Sequence, residues 1–336
     1  MANGTPINKF DREKEFYMAK NKELFYEDYI SRIAKPETKI RKTYFFNSVF
    51  KKTAKYEREL EKEIFNFSPD ELIDTLKGFG STSVDYLNNV LSLIRGYTDF
   101  CIASDSHLVN DGQNPFLHIG YDALIQCINR DVLSNGILTR DTLRSLTKGR
   151  RIQNMTDLAA IFLIYEGVTG YRYTDILNLS FDDIDYERKV CKTISGKTLL
   201  LTDDCLSVIR EAQKEEVYIL PSEKKMPYLD NLIVRSFRKD QLDRTGKNIV
   251  LLIDILRRRV VKCLAQHDIN DVTFSNINVS GQIDFIKRKA NESGVKVSDF
   301  IMTKECKEMI VNQYGKENWL ARNFYAKYKY FLEDDV

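Results

Sequence analysis

Three short stretches of this chain carry side chains able to hold a phosphate. Gly170-Tyr171-Arg172 sets an arginine two residues after a glycine, Asp254-Ile255-Leu256-Arg257 sets a second arginine, and Gly315-Lys316 adds a lysine nine residues before Tyr325. A guanidinium is a planar fork whose two parallel N–H donors match the oxygens of a phosphate. Gly170 lets the chain turn sharply after an apolar helix. Arg172 then either points from the start of the next helix into a cleft or pairs with Asp175 or Asp183 inside the fold. Asp254 works against a bound phosphate. At about 4 Å and near-surface screening, two like unit charges repel by roughly 4 kcal/mol, and a neighbouring arginine favours the charged carboxylate.

The elements that must position these residues are mostly helical, with only six prolines in 336 residues. The periodicity predicts helices over about Glu23 to Ile33 and Lys39 to Glu63. Ser68-Pro69-Asp70-Glu71 has the form of a capping box, Gly78 and Gly80 end the short helix it opens, and Ser81 or Ser83 opens another. On that helix Val84, Leu87, Leu91, Ile94 and Tyr97 share an inner face. The polar stretch Ser104 to Pro115 is the expected linker between a bundle of about four helices and a second domain. There, helices are expected at Thr139 to Leu146, Met155 to Glu166 (apolar nearly all round) and Tyr173 to Leu179. Two strands, Lys189 to Ile194 and Lys197 to Leu201, flank a Ser195-Gly196 turn. Further helices are expected over about Asp204 to Lys214, Tyr228 to Lys239, Ile249 to Gln266, Gly281 to Ser293, Val297 to Asn312 and Lys316 to Phe331.

Composition bounds the class. Hydrophobic content of 43% and charged content of 30% are those of a globular protein, no apolar run approaches membrane-spanning length, and no signal peptide is legible. The six cysteines form no CxxC pair and only three histidines accompany them, so no metal site and no cofactor is expected. The formal charge of +2 hides an asymmetry. Between Arg32 and Tyr56 eight basic residues (Arg32, Lys35, Lys39, Arg41, Lys42, Lys51, Lys52, Lys55) face one acidic residue, Glu37. Interleaved with Tyr44, Phe45, Phe46 and Phe50, they describe a helix with one face in a core and another toward solvent or toward phosphates.

Beyond the single boxes, residues 158 to 204 follow an ordered pattern: an apolar helix, Thr169-Gly170-Tyr171-Arg172, Asp175, Leu179, Phe181, Asp183-Ile184-Asp185, a hairpin, then Leu201-Thr202-Asp203-Asp204. This stretch resembles the first half of the catalytic domain of tyrosine recombinases, the phage-integrase family, with aspartate at 175 where the family has glutamate. Asp254-Ile255-Leu256-Arg257 resembles the family's His-x-Leu-Arg box, with aspartate in place of histidine. Gly315-Lys316 with Tyr325 resembles its last box, with lysine in place of the second histidine. In a shifted register Trp319 fills that position and Tyr328 replaces Tyr325. The resemblance implies a mainly α fold with a small β-hairpin or sheet, in two domains: a helical core-binding-like domain over 1–112 and a catalytic-like domain over 113–336, together clamping a duplex. Length, layout and altered site are most similar to the recombinase-fold lysogeny repressors of SPβ-type Bacillus prophages.

The resemblance assigns roles. Arg172 and Arg257 would neutralise the scissile phosphate, Tyr325 would attack it, and a hairpin lysine, Lys192 with Lys197 as fallback, would protonate the leaving oxygen. Asp254 breaks this set, and losing a positioned acid or base typically costs about 10²- to 10⁴-fold in rate. The expectation is therefore a sequence-specific DNA-binding repressor that maintains prophage lysogeny without strand transfer; an active divergent recombinase is the alternative. Its DNA contacts are expected at Arg172, Arg257 and Lys316, along Lys39, Arg41, Lys42, Lys51 and Lys52, at Asn88 and Asn89, and at Arg235, Arg238 and Lys239. The implied partners are double-stranded DNA with operator repeats in a phage genome, a second copy of the chain on that DNA, and an antirepressor protein. The implied location is cytoplasmic and nucleoid-associated, away from membranes.

Overall fold

The computed structural model of the chain describes residues 12, 14–104, 112–148, 153–246, 248–270 and 272–333. It separates into two compact units, Met1–Leu133 and Ser134–Val336.

The first unit is built from α1 (Ala19–Ser31), α2 (Pro36–Glu59), α3 (Pro69–Lys77) and α4 (Val84–Ala103), followed by the short helices α5 (Tyr121–Gln126) and α6 (Arg130–Asn135), which the sequence did not announce. The capping box forms as expected: Glu71 N donates to Ser68 Oγ at 3.2 Å, and Ser68 N to the Glu71 carboxylate at 2.7 Å. Of the two candidate serines, Ser83 caps α4, accepting from Tyr86 N. Val84, Leu87, Leu91, Ile94 and Tyr97 are all buried. With Phe46, Phe50 and Phe65 they make an aromatic core, in which Phe46 and Phe50 have ring centroids 4.6 Å apart. Lys22 is fully buried there and pairs with Glu57 at 2.8 Å, while Tyr97 donates to Glu63 at 2.5 Å. Burial raises the Glu63 carboxyl above the ordinary carboxylate range.

Most of the expected linker, residues 105–111, lies outside the described residues. The chain beyond it returns to the first unit rather than opening the second at 113. Asn114 donates to Asp99 at 2.8 Å, and Arg95 donates to the carbonyls of Phe116, Leu117 and Ile119, so this stretch is sewn onto α4. The units divide instead within α6.

The second unit contains α7 (Arg140–Lys148), α8 (Met155–Tyr165), α9 (Thr174–Asn178), α10 (Asp203–Lys214), α11 (Asn248–Ala265), α12 (Phe274–Glu292), α13 (Val297–Phe300), α14 (Lys304–Tyr314) and α15 (Ala321–Glu333). Every residue of α8 from Thr156 to Tyr165 is buried, as its unbroken apolar character demands, and α10, α11 and α12 pack around it. The hairpin strands are β2 (Val190–Lys192) and β3 (Thr198–Leu200), with Cys191 opposite Leu199 and both buried. A two-residue strand, β1 (Ile184–Asp185), pairs with β2 and completes a three-stranded antiparallel sheet. A second hairpin, β4 (Val217–Ile219) with β5 (Lys225–Pro227), was not expected.

Three helical expectations are corrected. No helix forms over Tyr228 to Lys239. There the Asp230 carboxylate accepts from the backbone of Leu232 and Ser236 and from Arg244, and this local turn displaces the helix. The run Val297 to Asn312 splits in two because Thr303 starts α14 afresh, accepting from Cys306 N. The last helix begins at Ala321 rather than Lys316, since Gly315 ends α14 in the left-handed region at φ 65°. By contrast α12 is longer than expected, opening at Phe274 behind a Thr273–Asn276 capping box.

All six cysteines are buried free thiols, and burial raises Cys101, Cys191, Cys263 and Cys306 to about 12. No helix of the described residues is long and apolar enough to cross a membrane.

Candidate functional site

The loop after α8 carries an unusual backbone. Gly170 (φ 69°), Arg172 (φ 52°) and Tyr173 (φ 62°) all lie at positive φ, so Arg172 sits in a left-handed turn just before α9 rather than on the helix itself. A side chain at 170 would run into Asp175, since a Cβ there would lie 2.5 Å from its carboxylate carbon. Arg172 is exposed and makes no ion pair among the described residues; its guanidinium stacks over the Tyr171 ring at 5.2 Å. Neither candidate internal partner takes it. Asp175 is buried and accepts from Ser195 N at 3.2 Å and Ser195 Oγ at 2.8 Å, and Asp183 accepts from Ser180 N at 2.9 Å.

Arg257 approaches from α11. Tyr173 packs edge-on against Phe274, with ring centroids 5.0 Å apart, and the Arg257 guanidinium lies 5.9 Å from the same Phe274 ring. Burial raises the Tyr173 hydroxyl, with the charge of Arg257 opposing the shift. The first and second boxes therefore meet at this aromatic pair.

Asp254 is one helical turn before Arg257, and the two form an ion pair at 3.1 Å, each about half exposed. Arg258 is exposed and returns to the backbone, donating from Nε to the Asp254 carbonyl at 3.2 Å. Arg259 is a structural residue. It is buried, donates to Asp157 at 2.6 Å, and lies 4.7 Å from the centre of the Tyr218 ring, so it ties α11 to α8 and to the second hairpin.

The Asp175–Ser195 contact fastens the β2–β3 turn to α9, and so fixes where the hairpin lysines stand. Lys192 is exposed on β2. Lys197 reaches the third box: a Cβ on Gly315 would lie 2.9 Å from its Nζ. Lys316, the next residue, is exposed. The structure thus brings Arg257 to the aromatic pair formed by the residue after Arg172, fastens the hairpin to α9 through Asp175, and brings Lys197, the fallback, to the Gly315-Lys316 corner. Sequence reasoning missed the Asp175–Ser195 link, although a carboxylate three residues after the arginine was its available signal.

Tyr325 lies on α15, partly exposed, and donates its hydroxyl to Glu333. That hydrogen bond, with lesser contributions from burial and the charges of Glu333 and Asp299, pushes its hydroxyl up to about 12. Among the described residues no hydrogen bond joins Tyr325 to Arg172 or Arg257. Tyr328 is buried against Phe324 with ring centroids 4.8 Å apart, so the aromatic stripe accounts for it, and Trp319 is buried on the same stripe. Tyr330 is exposed and packs edge-on with Phe331.

In the first unit, α2 buries Phe46, Val49, Phe50 and Ala54 and exposes Arg41, Lys42, Lys51 and Lys52, while Lys39 is half-buried. Lys51, Lys52 and Lys55 line an open depression of about 470 Å³ with Ser48, Tyr56 and Phe79. Lys51 pairs with Glu15 at 2.7 Å, and Lys52 stands 5.1 Å from the centre of the Phe79 ring. Asn88 and Asn89 are exposed on α4. The 235–239 stretch departs most from expectation. Arg235 is buried, donates to the carbonyls of Glu215 and Gln213, and is sandwiched by the Phe181 and Tyr228 rings at 4.6 and 4.9 Å, so it has no freedom to contact a ligand. Arg238 is exposed but pairs with Asp240 at 3.1 Å, and Lys239 is exposed.

Comparison with known proteins agrees with this layout. A family model described as "MrpR, N-terminal core-binding domain" matches residues 16–103, and one described as "MrpR, C-terminal catalytic domain" matches residues 137–335. The SPbeta prophage-derived uncharacterized protein YopR of Bacillus subtilis (strain 168) is 23% identical over 184 residues, covering 52% of this chain. The match spans 54%, about half, of that relative's length. Among solved structures, the Tn1549 transposon integrase in complex with circular intermediate DNA aligns over 94% of this chain and 99% of its own, at 14% identity and a TM-score of 0.42. XerA recombinase aligns over 89% and 98%, at 10% identity and a TM-score of 0.33. Since the two family models match in chain order and the C-terminal one alone takes in more than half of the residues, the chain belongs to the tyrosine-recombinase-like MrpR family.

Proposed function

We propose that this chain is a sequence-specific DNA-binding repressor of a prophage, in which a recombinase-type site holds a DNA phosphate without cutting beside it. The observation that carries this reading is the state of the second box. Arg257 is retained beside the Tyr173–Phe274 pair, while the position that would handle protons is a carboxylate already paired with it. An ionised Asp254 has no proton to donate and repels a phosphate, whereas two exposed arginines still supply forked donors. Tyr325 is equally unready. Its hydroxyl is donated to Glu333, which engages the proton that attack on a phosphate would have to release. Affinity in such a protein comes chiefly from phosphate neutralisation with counterion release, and selectivity from a few contacts to base edges. The exposed cations of α2 suit the first task and Asn88 and Asn89 the second. The prophage assignment follows the SPbeta prophage-derived relative.

A nicked duplex carrying the protein's own binding site, found by genomic pull-down, tests the reading. The expected result is selective retention with no denaturation-resistant protein–DNA adduct, and unchanged affinity in Tyr325→Phe. A covalent adduct that disappears in Tyr325→Phe would overturn it in favour of a working recombinase. Scattered promoter sites in the pull-down fit a repressor, and a lone attachment site fits an integrase.

A further inference from the structure

The hairpin bearing Lys192 and Lys197 ends in an apolar tip. Residues 193–197 form a tight reversal in which Thr193 N donates to Lys197 O at 2.8 Å and Gly196 N to Thr193 O at 2.9 Å. Ile194 occupies the first central position of the turn and is 69% exposed. Turn tips are ordinarily filled by Gly, Asn, Asp, Ser or Pro, for conformational reasons that do not apply to a β-branched side chain. A lone exposed apolar residue needs no explanation by itself, but three features distinguish this one.

The turn is held rigidly. Ser195 gives both its N–H and its hydroxyl to the buried Asp175, and Thr193 Oγ1 lies 2.9 Å from Ser195 Oγ. Cations flank the tip: Lys192 and Lys197 are both exposed, and the clamp residue Asp175 follows Arg172 by three positions. Ile194 itself lines the edge of an open groove of about 620 Å³, with Leu232, Leu242 and Ile249 as its other apolar residues and Asp230 and Arg244 as its charged ones. A fixed apolar point set among positive charges is complementary to a polyanion with an apolar interior, and duplex DNA is such a polymer.

We infer that Ile194 is a wedge that presses against, or between, neighbouring base pairs while the surrounding lysines and Arg172 hold the flanking phosphates. The inference rests on the DNA-binding reading above and adds a source of selectivity to it. Apolar wedges partly unstack a base step, and pyrimidine–purine steps deform most readily. A rigid wedge therefore selects DNA by the ease of opening one step, without a hydrogen bond to any base. The Asp175–Ser195 clamp is what makes the wedge effective, because a mobile tip would move aside rather than deform the duplex.

The test uses the full chain and duplexes that the wild-type protein selects from a random-sequence library, with poly(dA)·poly(dT), which has no pyrimidine–purine step, as the non-selected duplex. Ile194→Ala is expected to weaken the selected duplex by roughly tenfold, the scale of a missing apolar contact. It is expected to leave poly(dA)·poly(dT) binding and the salt slope unchanged, and Ile194→Met to stay within a few-fold of wild type. Selection repeated with Ile194→Ala should lose the preference at a single pyrimidine–purine step, and 2-aminopurine at that step should brighten with wild type but not with the variant. Equal affinity of wild type and Ile194→Ala for both duplexes would overturn the wedge while leaving the DNA-binding reading intact. A parallel loss on both duplexes with an altered salt slope would also overturn it, because Ile194 would then only support the lysines. Failure of the wild type to bind any duplex at low salt would overturn the reading and the wedge together.

Discussion

Replacing Arg172 and Arg257 together by alanine is expected to weaken binding to the selected duplex by about 10- to 100-fold, on the scale of hydrogen bonds to charged groups. The salt slope distinguishes how they act. Each neutralised phosphate contributes about 0.9 to the slope of log K against log salt. The proposed reading gives both arginines one phosphate: Arg257 borders the Tyr173–Phe274 pair, and Tyr173 follows Arg172 in the chain. The double variant should therefore lower the slope by about 0.9, for one shared phosphate, rather than twice that amount. Asp254→Asn is expected to act in the opposite direction. It frees Arg257 from an exposed ion pair worth about 0.2–1 kcal/mol, so affinity should rise up to about fivefold at low salt, with a smaller gain at high salt as screening grows. Filter binding or fluorescence anisotropy across a salt series reads all three quantities. Wild-type affinity in both Arg172→Ala and Arg257→Ala would mean that the recombinase-type site lies off the DNA path.

The second large effect concerns stability rather than binding. Arg259 stands two residues from Arg257 yet does different work. Burial alone would push its guanidinium down, but Asp157 and Tyr218 outweigh that and leave it raised, hence fully charged. Arg259→Ala strands the buried Asp157 carboxylate with Tyr218, at 3.0 Å, as its remaining side-chain hydrogen-bond partner among the described residues. Breaking a buried pair from one side typically costs about 3–5 kcal/mol, and urea denaturation should show a loss of that size. Removing both charges by Asp157→Leu with Arg259→Leu should recover much of it, because no uncompensated charge then remains. A loss below about 1 kcal/mol for Arg259→Ala would show that the pair does not anchor α11. Arg257→Ala, on the exposed side of the same helix, should leave the midpoint nearly unchanged, so the two arginines separate folding from binding.

Elements governed by local chemistry were legible in the chain. The Ser68–Glu71 box, the buried apolar run of α8 and the Ser195-Gly196 reversal need only neighbouring residues to specify them, and all three form. Elements that depend on distant partners were not. The 228–239 stretch has apolar residues at helical spacing, yet Asp230 captures its backbone, Arg244 comes in from beyond it, and Arg235 is taken by carbonyls of residues 213 and 215. The boundary between the units was misplaced for the same reason. Arg95 and Asn114 are 19 residues apart, and their hydrogen bonds return a polar, loop-like stretch to α4.

The sequence by itself determined the family, the order of the boxes and the substitution at Asp254, because these are facts of residue type and spacing. Tertiary structure alone decided which charges are available. Arg172, Arg235, Arg257 and Arg259 are equivalent as letters, but burial and partner geometry make two of them exposed forks and two of them internal braces. It also decided which hairpin lysine meets Gly315, since strand register turns Lys192 outward on β2 while the Asp175 clamp sets the course of the turn that leads to Lys197. Charge type is written one residue at a time, whereas desolvation and reach depend on the atoms that folding brings around each side chain.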